Sequence, residues 1–99
     1  MAFEMTVALE VKDEEVYNNY RKGMKHILDS FSGEILYDFK VSKVLKSQEE
    51  GKTNRVFILK FISEKNMKNF FSNEEYLEVK AKYFDKAVGN VHILSSHKK

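Results

Sequence analysis

Along this chain the spacing of apolar residues switches repeatedly between every second position and every third or fourth. That succession limits the folds open to it more than any other feature. Phe3, Met5, Val7, Leu9 and Val11 alternate with Glu4, Thr6, Ala8 and Glu10, the pattern of a strand with one face on a core. Asp13 then stands at an N-cap position, with Glu14 and Glu15 in the next turn, where the helix dipole favours anions. Val16, Tyr20, Met24, Ile27, Leu28 and Phe31 recur at three- and four-residue steps, with Tyr17 on the stripe's edge. This predicts an amphipathic helix of about five turns, ending near Ser32-Gly33.

Alternation returns from Glu34 to Lys46, with Ile35, Tyr37, Phe39 and Val41 on the core side and Leu36, Asp38, Lys40 and Ser42 opposite. A strand this long has room for a bulge, or for an extension past its own sheet. Polar residues around Gly51, from Ser47 to Thr53, suit a hairpin loop. Asn54 to Ile62 is nearly continuously apolar, as a central strand is. Ser63 is placed to cap a short helix carrying Met67, Phe70 and Phe71, and Ser72 with Glu75 reads as a capping box for the next. That helix puts Tyr76, Val79, Lys80, Tyr83, Phe84 and Ala87 on one side and stops at Gly89. Val91, Ile93 and Ser95 alternate with Asn90, His92 and Leu94 in a last strand.

The order is β-α-β-β-α-β, which predicts an α+β, ferredoxin-like domain spanning residues 1–99. A four-stranded antiparallel sheet would carry both helices on one face. Right-handed crossovers place the first and third strands in the middle. At 42% hydrophobic and 32% charged residues, the chain has enough apolar surface to fold rather than stay disordered. With no cysteine, disulfides, thiolate metal sites and a Cys nucleophile are excluded. The net charge of +2 is dispersed, without the concentrated basic patch that nucleic-acid backbones require. No run approaches the ~20 apolar residues of a membrane span. Glu4 and Glu10 interrupt the N-terminal apolar stretch, which argues against a signal peptide and for a cytoplasmic protein.

Helices on one side leave the other face of the sheet to be covered. Giving the more apolar set of each strand to the helices puts Thr6, Ala8, Leu36, Val56, Ile58 and Leu94 on the open face. Glu10, Asp38, Lys40, Lys60 and His92 lie among them. A surface so apolar marks an interface or binding site, and a second copy packed sheet to sheet would cover it and enclose a partly polar cavity.

Several short stretches resemble the family known as domain of unknown function 1330, relatives of the antibiotic-biosynthesis monooxygenases. They are Asp13 with Tyr17 and Tyr20, Phe31-Ser32-Gly33, Glu50-Gly51, Arg55 to Ser63, and Glu75-Tyr76. The resemblance implies a homodimeric α/β barrel of ferredoxin-like subunits and, in an enzyme, cofactor-independent oxygenase or isomerase-like chemistry. The chain has Ser32-Gly33 where the family usually has paired glycines, and Ile62 where it has proline. It has Lys60 where Glu is frequent and Tyr83 where Arg is frequent.

Lys60 is a charge inside an apolar strand, suited to stabilise an anion at a cavity wall, or simply paired with Glu10 or Asp38. His92 is suited to move a proton near neutral pH, or to serve as a hydrogen-bonded interface residue. These two are the catalytic candidates, with Glu10, Asp38 and Arg55 as ligand-binding candidates. Arg55 has the planar fork that grips a carboxylate, although its place at a strand start also suits an exposed ion pair. The histidines show no metal-ligand spacing, no phosphate loop or nucleophile elbow occurs, and no cofactor is expected. An RNA-recognition domain shares the element order but needs aromatics on the open face of its third strand, where this chain has Val56 and Ile58. Two functions follow: a homodimer that binds or converts a small organic molecule between its sheets, or a non-catalytic domain whose dimer is itself the functional unit.

Overall fold

The computed structural model describes all residues 1–99. Strand β1 (Phe3–Val11) leads through Asp13 into helix α1 (Glu14–Ser30), and β2 (Gly33–Lys40) and β3 (Arg55–Phe61) follow. Helices α2 (Glu64–Ser72) and α3 (Glu74–Val79) run into a π-helical turn, Lys80–Phe84, and the single turn α4 (Asp85–Ala87) delivers the chain to β4 (Val88–Lys98). The antiparallel sheet has the order β2-β3-β1-β4, so the first and third strands are central as the crossover rule requires.

Each element has a local cause. The Asp13 carboxylate accepts the Val16 amide at 3.1 Å, and the buried stripe of α1 is Tyr17, Tyr20, Met24, Ile27 and Leu28. Ser63 caps α2 by accepting the Asn66 amide at 3.1 Å. The expected Ser72–Glu75 capping box does not form. Asn73 caps α3 instead, accepting the Tyr76 amide at 2.9 Å, while the Ser72 hydroxyl donates back to the Lys68 carbonyl. Between α1 and β2, Ser32 sits at φ +55°, in the left-handed region. Gly33 is required for space: a Cβ there would lie 2.7 Å from the Phe61 ring and closer still to Leu28.

Phe3, Met5, Val7, Leu9 and Val11 face the helices, and with Phe57, Leu59 and Phe61 they form the floor of one core. Phe70 and Tyr76 close it from above, their ring centroids 4.4 Å apart. No charged residue is fully buried.

Two departures from expectation change what the faces carry. First, β2 contains a bulge: Ile35 pairs with Leu59, but Tyr37 pairs with Ile58, leaving Leu36 as the extra residue. Because side chains alternate, a one-residue slip exchanges the faces of everything that follows. Asp38 and Lys40, expected on the open face, therefore turn to the helix side. Tyr37 and Phe39, expected in the core, lie on the open face, stacked at 5.9 Å and each more than half exposed. Second, the strand stops at Lys40 rather than Lys46, and residues 41–54 form an irregular loop. It folds back over one corner of the open face, where Val44, Leu45 and Glu49 join Ala8, Val56 and His92 around a recess of about 660 Å³. Gly51 (φ +91°) packs directly against Asn90 of β4 in this arrangement. The open face is thus partly roofed by its own chain, and its β2 side stays bare. At the loop's end the Asn54 side chain accepts from the Val11 amide (2.8 Å) and donates to its carbonyl (2.9 Å), extending the β1–β3 ladder by one side-chain rung.

Candidate functional site

The residues singled out from sequence do not converge on one place. Lys60 stands between Glu4 and Glu34 across the ladder, not beside Glu10 or Asp38. His92 pairs with Ala8 on the far flank of β1, four residues along from Glu4, which is roughly 13 Å along the strand. Lys60 and His92 therefore do not form a site within one chain. The Nδ1 of His92 lies 3.6 Å from Glu49 of the roofing loop, and its buried Nε2 has no partner. Glu10 lies over Gly89, on the opposite face from Asp38, so the two carboxylates are not a pair.

Asp38 and Arg55 do meet, under α1. Arg55 grips Asp38 through Nε and Nη2, both at 2.8 Å. Arg21, reaching down from α1, binds the same two oxygens at 3.1 and 3.4 Å. The Arg21 guanidinium also lies between the rings of Tyr17 and Phe57, 5.0 and 4.7 Å from their centroids, and its Nε donates to the Tyr17 hydroxyl at 3.0 Å. Hydrogen bonds from Arg55 hold the Asp38 carboxyl below its ordinary pKa, and Asp38 in turn raises that of Arg55. Arg55 thus does grip a carboxylate, one belonging to its own chain.

Beside this cluster the helices and sheet enclose a cavity of about 100 Å³, fourteen of whose fifteen lining residues are hydrophobic. Its floor includes Met5, Leu9 and Leu59, and its roof Met24, Phe70 and Phe84. Towards the β4 edge the wall is Val91 and Ile93, 44% and 59% exposed, so this side opens to solvent. The end of α3 and the π-helical turn help to shape the roof: Val79 and Tyr83 lie over Gly23, and Phe84 stands edge-on to Tyr20 at 5.0 Å.

Polar groups at the cavity wall are few. The Tyr20 and Tyr76 hydroxyls share one hydrogen bond at 2.9 Å, which uses one of their two protons and leaves the other free to donate. Burial raises the pKa of both, and of Tyr17, so these phenols stay neutral and act as donors rather than bases. Arg21 is the single charged residue in the lining. The geometry of this arrangement suits an apolar molecule bearing an oxygen acceptor, and the phenols at its wall are donors rather than bases. Sequence reasoning missed Arg21 and the tyrosine pair. A signal for Arg21 was present, because it lies four residues after Tyr17 and three before Met24, on the buried stripe of α1.

No group of His, Cys, Asp or Glu side chains has a metal-binding arrangement. No helix is long and apolar enough to cross a membrane.

Among solved structures, the fold is similar to a protein of unknown function from Rhodopseudomonas palustris. The TM-score is 0.82 at 15% identity, covering 99% of this chain and 82% of that one. A dabb family protein with a ferredoxin-like fold from Mesorhizobium loti gives 0.70 at 9% identity, over 99% and 96% of the two chains. A dimeric protein of unknown function and ferredoxin-like fold from Bacteroides fragilis gives 0.61 at 11%, again over 99% and 96%. At such identities the likeness shows the fold alone. No protein of curated function matches the sequence. Residues 4–96, nearly the whole chain, match the family described as "Domain of unknown function (DUF1330)", in keeping with the resemblance carried by the α1, β3 and α3 residues, and the chain belongs to that family.

Proposed function

We propose that the protein binds a small, largely apolar organic molecule in the cavity between its helices and sheet. This site differs from the inter-sheet space expected from sequence. The observation that carries the reading is the lining: an apolar chamber open beside Val91 and Ile93, with a spare phenolic proton from the Tyr20–Tyr76 pair at its wall. Ligand sites combine a mostly apolar wall with a few directed polar groups in this way. Native mass spectrometry of protein from its own host tests it. The expected result is a small-molecule adduct on the unmodified chain, absent from a V91W/I93W variant that blocks the mouth from outside the core. An adduct-free spectrum in both would refute it. Lys60 and His92 enter this proposal only as residues of the opposite face, outside the ligand's reach.

A second reading concerns that face. Tyr37 and Phe39 are stacked and exposed, with Leu36 beside them 37% exposed. Bare aromatics on a sheet face are a site for a second copy, and the Bacteroides fragilis neighbour is described as dimeric. We place the homodimer contact there, beside the part roofed by residues 41–54, with the protein acting in the cytoplasm. A nucleic-acid partner is disfavoured because Glu4 and Glu34 flank Lys60 on this face. Sedimentation equilibrium is expected to give a dimer at micromolar concentration; a strict monomer would remove this reading while leaving the cavity intact.

A further inference from the structure

Arg21 joins two features that the fold otherwise keeps apart. With Met24 and Leu28 it belongs to the wall of the inner cavity and also to that of an outer groove of about 430 Å³ between α1 and β2. A molecule in the cavity therefore lies against one cationic side chain, which the cavity shares with this second stretch of surface.

The Arg21 Nε stays bonded to the Tyr17 hydroxyl, but the guanidinium's grip on Asp38 is the weaker of two. Asp38 has both oxygens engaged by Arg55 at 2.8 Å, a bidentate grip that already neutralises it. Arg21 takes the remaining lone pairs at 3.1 and 3.4 Å. Around the cluster three cations (Arg21, Arg55 and Lys40) meet two carboxylates, Asp38 and Glu14, and Glu14 comes no nearer than 3.8 Å to either Arg55 or Lys40. The excess of one positive charge is shared among the three cations, with the Lys40 side chain 72% exposed to solvent, and Arg55 Nη1 is buried without a hydrogen-bond partner. A guanidinium beside the aromatic wall of an apolar cavity favours an anion more strongly than the same group in water.

We propose that Arg21 receives the anionic end of the bound molecule, so that the ligand is a small carboxylic acid with an apolar body. The body fills the cavity beneath Phe84 and Met24. The carboxylate replaces Asp38 as the partner of Arg21, and the spare hydroxyl of the Tyr20–Tyr76 pair remains for any second oxygen. The assignment rests on the cavity being the ligand site. Arg55 keeps Asp38 occupied when Arg21 turns away, so the exchange strands no carboxylate.

Hexanoate and 1-hexanol share a body and differ in the charged end, and isothermal titration at pH 7 compares them. The wild-type chain is expected to bind hexanoate about tenfold more tightly than 1-hexanol, the range of one added charge-assisted contact. In R21Q the two dissociation constants should agree within about twofold, and R21K should retain a preference of a few-fold. Equal affinities in the wild-type chain overturn the role of Arg21 while leaving the apolar cavity standing. If neither compound binds, the cavity reading fails and takes this one with it. A preference that persists undiminished in a folded R21Q shows that the anion is held elsewhere and also refutes the assignment.

Discussion

Replacing Asp38 with Asn tests the bulge and the clamp together. Asp38 accepts four N–H groups, two from Arg55 at 2.8 Å and two longer ones from Arg21. Hydrogen bonds to charged groups contribute about 1.5–3 kcal/mol when well formed. The Asp38 side chain is 29% exposed and that of Arg55 12%, so solvent screening lowers the figure towards the surface range. Asn retains one acceptor oxygen but turns its amide protons against a guanidinium. The expected loss is about 2 kcal/mol, or a fall of about 8–16 °C in Tm for a domain of this size. Urea denaturation at fixed protein concentration, followed by circular dichroism, measures it. The pH dependence adds a sign. The pKa of Asp38 is lowered on folding, chiefly by Arg55, so its stabilisation is fully present above the unfolded value of about 3.9. It is lost as pH falls through the lower folded value. The gap between wild type and D38N should therefore stay constant from pH 7 to 5 and close only below the ordinary carboxylate range. A loss under about 0.5 kcal/mol, or a gap that does not change with acid, would mean that Asp38 faces solvent and that β2 does not slip at Leu36.

Three further outcomes follow from the geometry. Ser32 at φ +55° occupies a region that costs an L-residue about 1 kcal/mol, so S32G should stabilise the chain by about 0.5–1 kcal/mol in the same urea titration. Gly33→Ala would push a methyl into Leu28 and Phe61 and should cost about 1–3 kcal/mol. Y37E/F39E changes only exposed open-face residues, so sedimentation should show monomers with little change in monomer stability; an unaltered dimer would place the contact elsewhere.

The fold was legible because its signals agree at every level. The period-two run of β1, the Asp13 cap and the near-continuous β3 each demand their element, and the crossover rule then orders the strands. The candidate site was far less legible, and one residue accounts for most of the difference. Ile35 and Leu36 are both apolar, so β2 slips at Leu36 without any visible break in its pattern, and Asp38 changes sides. The slip sets Asp38 between Arg21 and Arg55, where its two oxygens bind both guanidinium groups. That compensation depends on contacts 17 residues apart on either side of Asp38, beyond the reach of a local window. Residues 41–46 failed to continue the strand for a related reason: past Lys40 no partner strand remains, because β3 begins at Arg55. The tyrosine pair lies 56 residues apart in sequence and is joined only by packing of α3 on α1.

The chain has four methionines, and they sample different parts of it. Met5 and Met24 line the cavity, whereas Met1 is 86% exposed. A titration of methyl-¹³C-methionine protein with 1-hexanol, read by NMR, therefore locates binding directly. The cavity account predicts saturable shifts at Met5 and Met24 with Met1 unmoved. Shifts absent at both cavity methyls, at concentrations where heat or other resonances report binding, would contradict it.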